Sequence, residues 1–192
     1  MAKIMKIMAL LSALITVLCG VLYSNTQSAL LFALAITFAT TAYHFAMRLL
    51  VGWTIHLMLR NHVDYRAGWF RVRSFEQKIY KALGIKKWKG GIPTYDPAVF
   101  DRKRHTWDEI AQATCQAELV HEVIIVLSFV PIFASIPFGE FWVFAITSLL
   151  AACVDAVFVM LQRYNRPRIL QLLDTGRKVI SGAVKDINGR NA

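Results

Sequence analysis

An all-α integral membrane bundle of four transmembrane helices, with cytosolic helices lying at the interface, is the fold class that this chain predicts. Three observations predict it. The 192 residues are 56% hydrophobic and only 18% charged, with a mean hydropathy of +0.46, against about a quarter charged in a soluble domain. The apolar residues are gathered into runs of membrane length, about 20 residues each. The connections between some runs carry no Arg or Lys, while others are crowded with them. Because hydrocarbon offers backbone groups no water, such runs must be helical.

The first span is expected at 4–23, "IMKIMALLSALITVLCGVLY". Its apolar stretch exceeds the usual 7–15 residue core of a signal peptide, so a retained helix is the preferred reading. The second is expected at 28–50, within a longer apolar stretch that reaches residue 59. The third, 119–138, has Pro131 as an expected kink. The fourth, 141–162, contains Asp155. The region 60–118 is expected to be interfacial and 163–192 a basic tail, the whole forming a single membrane domain.

Orientation follows from charge. "SNTQ" (24–27) and "GE" (139–140) have no Arg or Lys, whereas the 60–122 connection and the tail are rich in both. The positive-inside rule makes the basic side, and with it both termini, cytoplasmic. The net charge of +10 then faces anionic lipid. No nucleic-acid motif accompanies it, so nucleic acid is not an expected partner.

In the interfacial region, "RVRSFEQKIYKALGIKKWKG" reads as one amphipathic helix. Val72, Phe75, Ile79, Tyr80 and Leu83 form its apolar stripe, flanked by Lys78, Lys81, Lys86 and Lys87. "GGIPTYDP" is a loop. A further helix starts after "DRKRH", with Thr106 or Asp108 as its cap. Cys19, Cys115 and Cys153 are scattered and odd in number, so they read as small buried residues, not as a disulfide or zinc framework.

Counting depth brings the polar residues of three spans to one level: His44 and Arg48, Glu118 and His121, Arg163 and Arg166. Thr37, Thr41, His44 and Arg48 recur at steps of four, three and four and mark one polar face. Glu118 and His121 are one turn apart on one face. Asp155 lies seven residues before Gln162, roughly 10 Å deeper. Ionisable groups at such depth usually face the bundle interior and mark a site. Arg48 could instead snorkel, Asp155 could simply pair with Arg48, and the arginines after residue 162 could be a stop-transfer cluster. "QRYNRPR" (162–168) argues for more. Stop-transfer needs only charge, whereas Arg throughout, with Tyr and Asn interleaved, suits directed bonding to phosphate or carboxylate.

"ATCQAELVH" (113–121), "QRYNRPR" with the following "QLL" (171–173), and the Trp88–Lys89 pair carry a resemblance over most of residues 70–175. The chain resembles the glycosyl-4,4'-diaponeurosporenoate acyltransferases of bacterial carotenoid glycolipid synthesis. It departs from their pattern at Ala113 and Gln116, where the family has Glu and Arg. The resemblance implies a bacterial cell-membrane O-acyltransferase that esterifies a sugar hydroxyl of a glycosylated carotenoid acid, or another lipid-linked acceptor, with a fatty acyl group.

The residues can be fitted to that chemistry. His121 suits a general base, with Glu118 or Asp155 to orient it. Asn165 and Arg163 can donate to the developing oxyanion. Arg166, Arg168 and Lys89 can hold the phosphates of an acyl-CoA or acyl-carrier-protein co-substrate, and Tyr164, Trp88, Arg48 and His44 complete the expected binding set. No cofactor and no metal are expected. Two rivals stand beside this reading. One is a non-enzymatic protein gripping an anionic lipid headgroup. The other is a metal enzyme, although a di-iron bundle needs a second Glu-x-x-His and two further Glu.

Overall fold

The computed structural model describes residues 2–92 and 97–190. Among these every regular element is a helix, with no strand, and four helices are long and apolar enough to cross a membrane. The first, α1 (Ala2–Thr26), and the second, α2 (Ala29–Leu59), form a hairpin. Near the end of α1, Ser24, Asn25 and Thr26 turn their side chains back onto the carbonyls of Val21 and Leu22. Gln27, with φ of 51°, then breaks the helix. At the far end of α2, Arg60 and Asn61 take left-handed conformations, and Gln116 Oε1 receives the Asn61 amide at 2.7 Å. α1 presents mostly exposed apolar side chains and buries only Ser12 and Cys19.

The expected single amphipathic helix is two. Gly84 adopts φ of +60°, a conformation that costs a glycine little, and it separates α3 (Ser74–Ala82) from α4 (Ile85–Trp88). The apolar stripe divides accordingly. Phe75, Ile79 and Leu83 remain exposed, whereas Tyr80 is buried with Ile85 and Leu161, and Val72 packs beside them. Of the expected loop, residues 93–96 lie outside the described residues.

α5 (Trp107–Leu127) begins earlier than a span starting at residue 119 and takes over the end of the expected interfacial region. Thr106 is its cap: Thr106 Oγ1 accepts the Glu109 amide at 3.2 Å, and Glu109 Oε2 accepts the Thr106 amide at 2.7 Å, a reciprocal capping box. Pro131 does more than kink this segment. α5 ends before it, a 3-10 turn runs over Val130–Ala134, and a short α6 (Ser135–Phe138) follows. α7 (Phe141–Arg190) does not stop at the membrane boundary. It continues as one helix of 50 residues through the arginine block, with Pro167 inside it.

The contacts fix the helix directions. Tyr43 donates to the Leu127 carbonyl at 2.9 Å, while Met47 and Val51 pack on Ile124, so α2 and α5 run antiparallel. Thr114 meets Arg166 and His121 meets Asp155, so α5 and α7 are also antiparallel, and α2 and α7 are parallel. Cys19 and Cys115 are buried as expected, but Cys153 is exposed.

Candidate functional site

The basic end of the bundle holds three groups of polar residues, and α7 contributes to each. In the first, α5 and α7 place Glu118 against two arginines. Glu118 Oε1 accepts from Arg163 Nη1 at 2.6 Å and Glu118 Oε2 accepts from Arg166 Nη2. Glu118 is 0% exposed and Arg166 1%, so desolvation is offset only by close pairing.

Arg163 has no donor to spare. Its Nε and Nη2 form a fork on Glu76 at 2.7 and 2.9 Å, its Nη1 reaches Glu118 and the Trp69 carbonyl, and its Nη2 also reaches the Arg71 carbonyl. Those are all five of a guanidinium's N–H groups. Arg166 is directed at Thr114 and the Phe70 carbonyl as well as Glu118. Both arginines were expected to touch substrate; the geometry makes them internal clamps that tie the 69–76 segment and α5 to α7.

Glu76 is the member that sequence reasoning missed. It stands alone among cations between residues 65 and 92, and that isolation was the signal. The Arg163 fork holds its carboxyl down to about 2 against the opposing effect of burial, with Tyr80 Oη (2.8 Å) and the Arg73 amide as further donors. Burial, reinforced by Glu76, pushes the Tyr80 phenol up.

In the second group, His121 Nδ1 lies 2.8 Å from Asp155 Oδ1. The other carboxylate oxygen, Oδ2, accepts from Arg48 Nη2, which also reaches the Ala151 carbonyl at 3.2 Å. Arg48 therefore does not snorkel; it folds back, with Nη1 on the His44 carbonyl at 3.0 Å. The His121 ring stacks on Phe158 with centroids 4.7 Å apart, and its side chain keeps 22% exposure. Asp155, not Glu118, orients His121. His44 is buried behind this chain.

The third group lies nearer the surface. Lys89 Nζ donates to Asn165 Oδ1 at 2.7 Å and sits 4.9 Å over the Tyr164 ring. Burial, with Arg168 and Lys86 nearby, lowers the Lys89 pKa. Trp88 Nε1 bonds the Leu83 carbonyl at 3.0 Å, which folds α4 against α3. Beside them opens a groove of about 700 Å³ whose charged lining residues are all basic: Lys81, Lys86, Lys87, Arg163 and Arg168. Arg168 is exposed there.

Asn165 and the His121-stacked Phe158 are seven residues apart on the same stripe of α7, two turns and roughly 10 Å along the axis. Cys115 is 0% exposed, a poor placement for a nucleophile. Among the described residues no three His, Cys, Asp or Glu side chains are grouped to hold a metal ion.

The chain is thus a helical membrane bundle with a partly buried carboxylate–histidine pair and a cationic groove at one end. The family pattern of the glycosyl-4,4'-diaponeurosporenoate acyltransferases (CrtO) matches residues 66–175, which cover α3, α4, α5 and the site-bearing part of α7. The chain belongs to that family. Comparison with curated proteins and with solved structures found no match. Arg48, His44 and the α1–α2 hairpin lie outside the matched region.

Proposed function

We propose that the protein transfers a fatty acyl group to a hydroxyl of a glycolipid acceptor at the cytosolic face of the membrane, with His121 as general base. The observation that carries the proposal is the His121–Asp155 contact. With Asp155 ionised, Nδ1 holds the proton and donates it, so Nε2 is left as the acceptor for a substrate hydroxyl.

The acceptor oxygen attacks the thioester carbonyl of the donor while its proton passes to Nε2. Asp155 stabilises the imidazolium that forms, and Arg48 holds the other oxygen of that carboxylate in place. Collapse breaks the carbon–sulfur bond, and the thiolate leaves with the proton from His121. The donor's anionic portion occupies the groove of Lys81, Lys86, Lys87 and Arg168, with Lys89 and Asn165 at its edge. Acyl-CoA and acyl-carrier protein both present phosphate to such a groove. The family supports a glycosylated carotenoid acid as acceptor.

The rival reading, a protein that holds an anionic headgroup without catalysis, draws on the same basic groove. Acyl transfer by purified protein in nanodiscs, from radiolabelled palmitoyl-CoA to a glycosylated carotenoid acid, tests the proposal. Wild-type product that disappears in His121→Ala supports it. Unchanged product in that variant would remove His121 from the chemistry, and no product at all from the wild type, with headgroup binding intact, would favour the rival.

A further inference from the structure

Three sides of α3 do three different things. Glu76 and Tyr80 are buried: Glu76 takes the Arg163 fork, and Tyr80 packs on Leu161. Gln77 and Lys81 line the basic groove, and Gln77 also lines a neighbouring one of about 660 Å³ with Arg66 and Arg71. Phe75, Ile79 and Leu83 follow one another at successive turns and stay 54, 46 and 49% exposed. A contiguous apolar row left open in this way marks a surface that something covers.

Helical geometry says which way the row points. Successive residues step about 100° round an α-helix, so residues two apart lie on roughly opposite sides. Phe75 is therefore opposite Gln77, and Ile79 is opposite Lys81. The grooves open where a charged, water-borne group enters; the apolar row looks away from them.

The level of α3 is fixed by what it packs on. Around Tyr80 stand Val157, Phe158, Met160 and Leu161, the closing residues of the apolar run of α7, which is long enough to cross a membrane. A helix docked there, with its polar side turned to the grooves, has lipid as the natural neighbour of its apolar side. Trp69 sits at the same level. Its carbonyl shares Arg163 with Glu76, and its exposed indole donates to Glu122 at 2.9 Å. Such rings collect where headgroups meet acyl chains.

The flanking charge is of one sign. Arg73 precedes the row and Lys78 borders it, both exposed, whereas the acid of α3, Glu76, is buried on Arg163. Long basic side chains can lie along apolar surface while their heads reach phosphate, and each is drawn to anionic lipid.

We propose that α3 is seated in an anionic leaflet at the basic end of the bundle, with Phe75, Ile79 and Leu83 among the acyl chains and the grooves on its aqueous side. The helix is then the partition between lipid and groove. Tyr80, Ile85 and Trp88 take no part in the seat, because they are turned into the protein. Nothing in this seat depends on the acyltransferase reading.

The test uses the full chain in nanodiscs, with Cys153→Ser to remove the exposed cysteine. A nitroxide is attached at Phe75→Cys, at Ile79→Cys or, on the opposite side, at Lys81→Cys; all three positions are exposed. Its collisions with oxygen, which concentrates among acyl chains, are compared with its collisions with a water-soluble nickel chelate. The oxygen-to-nickel ratio should be several-fold higher at Phe75 and Ile79 than at Lys81. Adding phosphatidylglycerol to phosphatidylcholine nanodiscs should raise the ratio at Ile79 further, and Lys78→Glu should abolish that rise. Ratios at Phe75 and Ile79 equal to that at Lys81 would put the row in water. Labels shielded from both reagents would mean that protein, a second copy or another chain, covers it. No response to phosphatidylglycerol would refute the anionic leaflet. Each of these three results overturns the seat as stated.

Discussion

Asp155 divides its carboxylate between two helices: Oδ1 faces His121 Nδ1 of α5 at 2.8 Å, and Oδ2 accepts from Arg48 of α2. One buried group therefore orients the imidazole and joins the matched region of the chain to the hairpin outside it.

His121→Ala should lower acyl transfer by roughly a hundredfold or more, the usual worth of a general base. Its thermal midpoint should hardly move, because the ring is partly exposed and Asp155 keeps Arg48 as a partner. Initial rates and melting curves on one preparation in detergent decide this. Equal losses in both would make His121 a packing residue.

Glu118→Gln should behave the opposite way. It leaves the buried Arg166 without its counter-charge, while Arg163 keeps the Glu76 fork, and breaking such a buried pair costs about 3–5 kcal/mol. Arg166→Lys keeps the charge but loses the planar fork that meets Thr114, Phe70 and Glu118 together, so it too should unfold at a lower temperature. Arg168→Ala, at an exposed position, should melt like the wild type. Reduced donor binding in Arg166→Lys with an unchanged melting curve would return Arg166 to the substrate.

The Glu76–Arg163 fork predicts an acid-sensitive docking of α3. The folded pKa of Glu76 lies at about 2, below the ordinary 4.5 of a glutamate. A depressed carboxyl contributes stability that is present above the unfolded value and lost as pH falls through the folded one. The docking of α3 should therefore weaken between pH 4.5 and 2, followed by the emission of Trp69 and Trp88. In Glu76→Gln that step should vanish, with α3 loosened at neutral pH as well. An identical acid transition in the variant would assign it to another group.

Charge reversal in the groove separates donor binding from chemistry. Lys86→Glu with Lys87→Glu should raise the KM for palmitoyl-CoA several-fold and flatten its salt dependence, with kcat little changed, because exposed cations act through screened attraction. An unaltered KM would place the donor elsewhere.

Sidedness can be read chemically. With the basic segments cytosolic, Thr26→Cys should react with an impermeant maleimide in intact cells and Lys103→Cys only after permeabilisation. Labelling of Lys103→Cys in intact cells would reverse the orientation.

Helix class, the four long apolar helices and the polar level were legible because each depends on composition and spacing along one chain. The His121 partner was not. Glu118 and Asp155 both lie within reach of a histidine when depth alone is counted, and only packing turns Glu118 toward the arginines of α7. The arginine block was legible as something beyond stop-transfer, since it chose Arg throughout, but its targets were not. Four carbonyl and carboxylate partners of Arg163 and Arg166 come from residues 69–76, over 85 positions away. The break at Gly84 was hidden because a helical periodicity survives one left-handed residue when the apolar positions fall in step on both sides.

The continuity of α7 acts as a ruler. Phe158, which carries the His121 ring, and Arg168, which lines the groove, are ten residues apart on one unbroken helix, about 15 Å along its axis. A donor that engages both must carry its reactive carbonyl on an arm of comparable reach from its charged end. A compact acyl phosphate, whose charge adjoins the carbonyl, could occupy one end of that span or the other, and would be a poor substrate for want of length alone.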